Sequence, residues 1–172
     1  MNTIIQVFSI FIVSYFGHWS ARGMSGFYTD SPMMISHRGV ANIFPENTIE
    51  AYINSVDVGY TSIELDVLSS LDGEIYCSHN HELEKETINR GYIHKMKSIE
   101  LDGIKTGFYS HPNNQKKMPK LDEVIKELPN NIRLNIEIKF SSPFDFSTIY
   151  HLRKKILKKK IKQPILISSF NP

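Results

Sequence analysis

Ile63-Glu64-Leu65-Asp66-Val67 and Leu134-Asn135-Ile136-Glu137-Ile138-Lys139 are the two stretches that decide how this chain is read. A strand repeats every two residues, so Glu64 and Asp66 share one face, as do Glu137 and Lys139. The alternate positions are aliphatic: Ile63, Leu65 and Val67 in one stretch, Leu134, Ile136 and Ile138 in the other. Both therefore read as strands of a buried sheet that carry charge on their inner face. Three carboxylates in such a place are costly unless something compensates them. A hard divalent cation is the simplest compensation, because Mg²⁺ and Ca²⁺ select oxygen donors.

The histidines sharpen this reading. His37 follows the strand-like Met33–Ser36, and His79 follows Ile75–Ser78. Barrels and open α/β folds place their chemistry at the C-terminal ends of such strands. Arg38 adds a planar guanidinium suited to phosphate, and Gly39 a backbone able to turn sharply. Two imidazoles, an arginine, a lysine and a carboxylate-bound cation describe phosphodiester hydrolysis better than other common chemistries.

Working outward, strands and helices alternate. Pro45-Glu46-Asn47-Thr48 opens a helix that runs through Val58, with Asn47 and Glu50 spaced as a capping box and Gly59 as its stop. Leu71-Asp72-Gly73-Glu74 reads as a tight turn. Residues 80–118 form a long polar excursion with a short helix near Ser98–Leu101, and loops of such length are usually functional. Helices follow over Leu121–Leu128 and Ser147–Lys160, with strands at Arg133–Lys139 and Ile165–Ser168. The alternation predicts an α/β fold with a parallel sheet, of the TIM (β/α) barrel type. A full barrel takes eight strands and about 250 residues. This chain of 172 residues reaches about five strands, so the barrel is expected to be C-terminally truncated.

Composition narrows the remaining classes. A net charge of +2 argues neither for nor against nucleic acid, but the lack of a basic patch interleaved with aromatics argues against it. No glycine-rich phosphate loop supports a nucleotide fold. The single cysteine, Cys77, excludes an internal disulfide or a cysteine zinc cluster and reads as a small buried apolar residue. His18, His81, His94, His111 and His151 read as residues without a site role, and the basic run from Arg153 to Lys162 as the solvated face of an outer helix. Residues 1–25 form a hydrophobic N-terminal segment: Ile4 to Phe16 is mostly apolar, and no Lys or Arg precedes Arg22. It suits a signal peptide or anchor, which favours a secreted, periplasmic or membrane-anchored protein over a cytoplasmic one and allows membrane association. The folded domain is expected over 32–172.

The ordered set His37-Arg38-Gly39, Pro45-Glu46-Asn47-Thr48, Glu64-Leu65-Asp66-Val67, Asp72-Gly73, His79 and Glu137-Ile138-Lys139 resembles the glycerophosphodiester phosphodiesterase family. Leu83, Thr87, Gly91, Pro119, Leu121 and Ser169-Phe170 agree with it. The resemblance implies a TIM barrel and metal-dependent hydrolysis of glycerophosphodiesters to glycerol 3-phosphate and an alcohol. It implies His37 and His79 as general acid and base, and Glu64, Asp66 and Glu137 as ligands of Mg²⁺ or Ca²⁺. Arg38 and Lys139 would face the phosphate, and Glu46 would support the site. Asn80 stands where the family usually has Asp, and Lys85-Glu86-Thr87 where it has Arg-Thr-Thr. Two other readings use the same residues: a phospholipase D-like enzyme acting on lysolipid head groups, and a non-catalytic remnant that binds a phosphate ester or a partner chain. An open barrel edge would call for a cover, such as a second copy in a homo-oligomer.

Overall fold

The computed structural model describes Phe27 and residues 33–142, 144–158 and 160–170. The apolar N-terminal segment lies outside the described residues, as does the linker that follows it apart from the buried Phe27. Among the described residues no helix is long and apolar enough to cross a membrane.

The framework is a parallel sheet with helical crossovers. Strand β1 (Ile35–His37) leads through α1 (Ile49–Asp57) to β2 (Ser62–Ser69). Next comes β3 (Ile75–Cys77), then a long insertion holding α2 (Ser98–Leu101), β4 (Lys105–Thr106) and β5 (Lys116–Lys117). The chain returns through α3 (Leu121–Glu127) to β6 (Arg133–Ile138), and through α4 (Ser147–Leu157) to β7 (Ile165–Ser168). The parallel order is β1-β2-β6-β7. This is the expected α/β architecture, with the strand–helix–strand units of a partial (β/α) barrel.

The aliphatic faces of the two diagnostic strands do what their pattern requires. Ile63, Leu65, Val67, Leu134, Ile136 and Ile138 join one core with Tyr52, Leu121, Val124, Leu128 and Leu152 from the covering helices. Every residue of β2 is buried, as expected for a central strand with both faces covered.

Three expectations change in detail. The third strand is not parallel: Asp72-Gly73 turns the chain back, and β3 pairs antiparallel with the end of β2, Val67 opposite Cys77. Of the five strands expected, four are therefore parallel and one closes a hairpin. The cap of α1 is Thr48 rather than Asn47, its hydroxyl accepting from the Ala51 N–H at 3.3 Å. Helices α3 and α4 end at Glu127 and Leu157, short of their expected limits.

The excursion over 80–118 is more than a polar loop. Two single 3₁₀ turns (Leu83–Lys85 and Ile93–Lys95), α2 and the antiparallel β4–β5 pair enclose an apolar cluster of their own. Leu83, Ile93, Leu101, Ile104 and Met118 pack there against Leu68 and Tyr76 from the hairpin. The expected helix at Ser98–Leu101 is present.

Candidate active site

The site grows from the register of the strands. His37 on β1 stands opposite Glu64 on β2, and Asp66 on β2 opposite Glu137 on β6. The pleat turns Glu64 and Asp66 to one face, away from the aliphatic core. Glu64, Asp66 and Glu137 are all buried, and each offers an oxygen within 4.8 Å of the others.

A left-handed turn follows β1 and brings the first helix close. Arg38 has φ +56° and Gly39 φ +83°. A Cβ on Gly39 would stand 2.8 Å from the backbone carbon and the Cβ of Ala51 in α1, so this position requires glycine. The turn aims the Arg38 N–H at Glu64, where it donates to the backbone oxygen at 3.1 Å and to Oε2 at 2.9 Å. The His37 Nε2 is 3.9 Å from the same Oε2, with the imidazole largely exposed.

The two cations expected to face a phosphate are engaged with the carboxylates. Arg38 Nη1 donates to Glu46 at 3.3 and 3.2 Å, and Nε stands 3.1 Å from Asp66 Oδ2. Lys139 Nζ is 3.0 Å from Asp66 Oδ1 and donates to Glu137 Oε1. Burial alone would lower the ammonium's pKa, but the hydrogen bonds to Glu137 and Asp66 outweigh it and hold the pKa above the usual lysine range.

Negative charge is still in excess at the centre. Burial first, and the Asp66 charge second, push the Glu64 carboxyl up to about 7, against the lowering effect of the Arg38 backbone hydrogen bond. Glu64 Oε1 is buried without a hydrogen-bond partner, and Asp66 Oδ1 faces only the Lys139 ammonium, at 3.0 Å. Three buried carboxylates, one oxygen of them unpartnered and no thiolate among the donors, fit a hard cation such as Mg²⁺ or Ca²⁺.

His79 follows β3 and lines a small pocket together with Glu46, Asn47, Asn80, Glu82 and Thr87. Strands β1, β2, β3 and β6, the residues that directly follow them and the loop between β1 and α1 thus supply all eight expected residues to one site. Cys77 is buried, and burial raises its thiol pKa far above the usual value, consistent with an inert core residue.

Two residues of the site escaped sequence reasoning. Asn47, expected to cap a helix, instead has φ +57°, is 2% exposed and donates from Nδ2 to Asp66 Oδ2 at 2.8 Å. His81, expected to have no site role, lines a cavity of about 410 Å³ with Glu137, Lys139, Phe140 and Phe170. Burial, and then the neighbouring His94, lower its pKa. A signal for Asn47 lay in its place beside Glu46, but its partner is distant in sequence. Nothing in the local sequence distinguished His81 from the other histidines.

Comparison with known proteins places this geometry. The model of the glycerophosphoryl diester phosphodiesterase family matches residues 37–172. A glycerophosphodiester phosphodiesterase of Caldanaerobacter subterraneus is 28% identical over 141 residues, covering 81% of this chain and 58% of that protein. Among solved structures, an Oleispira antarctica phosphodiesterase in complex with sn-glycerol-3-phosphate is 30% identical, with a TM-score of 0.72 over 81% of this chain and 58% of the other. A glycerophosphodiester phosphodiesterase of Agrobacterium tumefaciens is 28% identical with a TM-score of 0.65, over 80% and 58%. This chain thus spans a little under three fifths of the length of the relatives it matches. With its match running from His37 through the carboxylate strands, the chain belongs to the glycerophosphoryl diester phosphodiesterase family.

Proposed function

We propose that this site hydrolyses glycerophosphodiesters to glycerol 3-phosphate and an alcohol, with Glu64, Asp66 and Glu137 holding Mg²⁺ or Ca²⁺. The observation that carries the reading is the buried carboxylate triad, with Glu64 Oε1 left unpartnered, in a chain of this family whose His37 and His79 lie beside it. The glycerol 3-phosphate product bound to the Oleispira relative supports the same substrate class.

When bound, the cation supplies charge to offset the phosphate oxygens. The protein's residues do the rest. One histidine accepts a proton as an oxygen nucleophile forms its bond to phosphorus. Water as nucleophile gives glycerol 3-phosphate directly, whereas the neighbouring glycerol hydroxyl gives a cyclic phosphodiester that water opens in a second step. The other histidine donates a proton to the departing alcohol oxygen as its bond to phosphorus breaks. Histidine is the side chain most often used for both duties. Arg38 and Lys139 add positive charge on the phosphate side while fixing Glu46, Asp66 and Glu137. Acid–base catalysis of this kind contributes roughly 10²–10⁴-fold.

Hydrolysis of glycerophosphocholine and glycerophosphoethanolamine, with Mg²⁺, Ca²⁺ or EDTA and beside His37→Ala, tests the reading. Metal-dependent release of glycerol 3-phosphate, lost in the variant, is expected. A folded, metal-saturated sample without turnover on either diester sinks it. Turnover confined to lysolipids would instead identify the phospholipase D-like reading.

The sheet edges favour one addition. Strands β1 and β7 each pair with a single strand among the described residues, and Ile167 on β7 is 41% exposed, unlike any residue of β2. Further strands, whether of the same polypeptide, a second copy or another chain, would cover these edges. Light scattering of the purified chain, alone and with a candidate partner, reads this directly.

A further inference from the structure

We infer that Asn47 is a positioning residue that fixes the orientation of the Asp66 carboxylate toward the cation site, and that Tyr52 sets the orientation of Asn47. The inference rests on the metal-dependent reading above and adds to it two residues that act through Asp66.

The hydrogen bonds leave Asn47 little choice. Its Oδ1 accepts from the Asp66 N–H at 3.0 Å and from the Tyr52 hydroxyl at 2.8 Å. With two donors facing that atom, the amide cannot flip, since flipping would set its NH₂ group against both. The NH₂ group is therefore held toward Asp66, where it donates to Oδ2 at 2.8 Å. Arg38 Nε stands against the same oxygen at 3.1 Å. Oδ2 thus carries one hydrogen bond and one ion pair, which leaves Oδ1 on the side of Glu137, where Lys139 Nζ meets both carboxylates. The χ2 torsion of an aspartate is broad when nothing holds it; here two groups hold it.

A local role does not account for this arrangement. Asparagine tolerates φ +57° better than most residues, and a turn alone could use it. An asparagine serving only a turn would bond its own neighbourhood, whereas Asn47 bonds a residue nineteen positions away on β2. Tyr52 is fully buried in α1, and burial is the main cause that raises its pKa well above the usual value, so its hydroxyl stays a proton donor.

Calcium affinity of the full chain, measured by isothermal titration calorimetry, separates the possibilities without relying on turnover. Asn47→Gly keeps the backbone unstrained and removes only the amide. It should weaken Ca²⁺ binding 10–100-fold, the usual effect of losing a partner that orients a metal ligand. Tyr52→Phe should weaken it less, by a few-fold, because Asp66 still holds the amide. In both variants the Ca²⁺ concentration for half-maximal turnover should rise more than the maximal rate falls.

A folded Asn47→Gly with wild-type Ca²⁺ affinity overturns the inference. So does a Tyr52→Phe effect larger than that of Asn47→Gly. Should Asn47→Gly not fold, unchanged affinity in Tyr52→Phe overturns it. A wild-type chain that binds neither Ca²⁺ nor Mg²⁺ overturns the metal-dependent reading together with it, whereas wild-type binding with indifferent variants removes only the inference.

Discussion

The carboxylates on β2 and those of the 80–118 insertion carry the same chemical group in opposite circumstances. In and around the insertion, Asp72 and Asp102 have donors that satisfy them. Asp72 accepts from the Ser70 hydroxyl, the Ser98 N–H and the Ser98 hydroxyl, and hydrogen bonds from those serines lower its pKa to about 2. Asp102 takes Lys120 and the Tyr76 hydroxyl, and its pKa is lowered by them in that order. On β2, Glu64 is buried beside Asp66 and rises to about 7, with an oxygen left unpartnered. Satisfied acids pin one loop to another. Crowded, buried acids store an electrostatic cost that a folded chain keeps when a ligand uses it. The pleat of one strand separates the two tasks, because Ile63, Leu65 and Val67 on its other face supply ordinary core packing.

The sharpest way to break this contrast is Asp66→Asn. The amide keeps the shape but removes the charge shared by Arg38, Lys139 and the proposed cation. Loss of metal-borne charge stabilisation is worth several kcal/mol, so turnover should drop by about 10³-fold or more. Glu64, relieved of its neighbour's charge, should titrate at lower pH in the variant. Steady-state kinetics and carboxyl-resolved NMR check the two halves. Wild-type turnover in Asp66→Asn would return these acids to the structural class.

Gly39→Ala probes the turn that joins the site to the core. The added methyl meets Ala51 at 2.8 Å in a backbone with φ +83°. Overpacking typically costs 1–3 kcal/mol, and alanine in a left-handed position adds about 1 more. A loss of about 3 kcal/mol is expected in urea unfolding. A change below about 1 kcal/mol would mean that the turn is free to move, and with it the Arg38 N–H that restrains Glu64.

Much of this was legible in the chain itself because strand patterning is local. The period-two alternation of Ile63–Val67 and Leu134–Lys139 fixed which residues face the core, and the structure buries those six aliphatics as expected. The carboxylate cluster follows from the same alternation once β2 and β6 are neighbours. What failed needed partners distant in sequence. Asn47 looked like a cap because Glu50 stood three residues on, yet the neighbouring Thr48 took that role and freed Asn47 for Asp66. The direction of β3 depended on how tightly Asp72-Gly73 turned, and the polar surface of the insertion concealed its own small core, since Leu83, Ile93, Leu101 and Met118 follow no regular period.

The smallest predicted effect separates the two kinds of acid by the sign of their pH dependence. Asp72 has a folded pKa of about 2, below its ordinary 3.8. Its contribution is therefore present above about pH 3.8 and disappears as pH falls through 2. The group is almost wholly exposed, so water screens it and the effect should stay within about 1 kcal/mol. The stability gap between wild type and Asp72→Asn should thus narrow between pH 4 and 2. Glu64 runs the other way: with its folded pKa raised from 4.5 to about 7, its favourable contribution is complete below pH 4.5 and is lost as pH rises through 7. In EDTA, Glu64→Gln should therefore gain on wild type as pH rises from 5 to 7. Equilibrium unfolding across pH 2–8 reads both slopes, and a shared sign would end the distinction between a pinned acid and a crowded one.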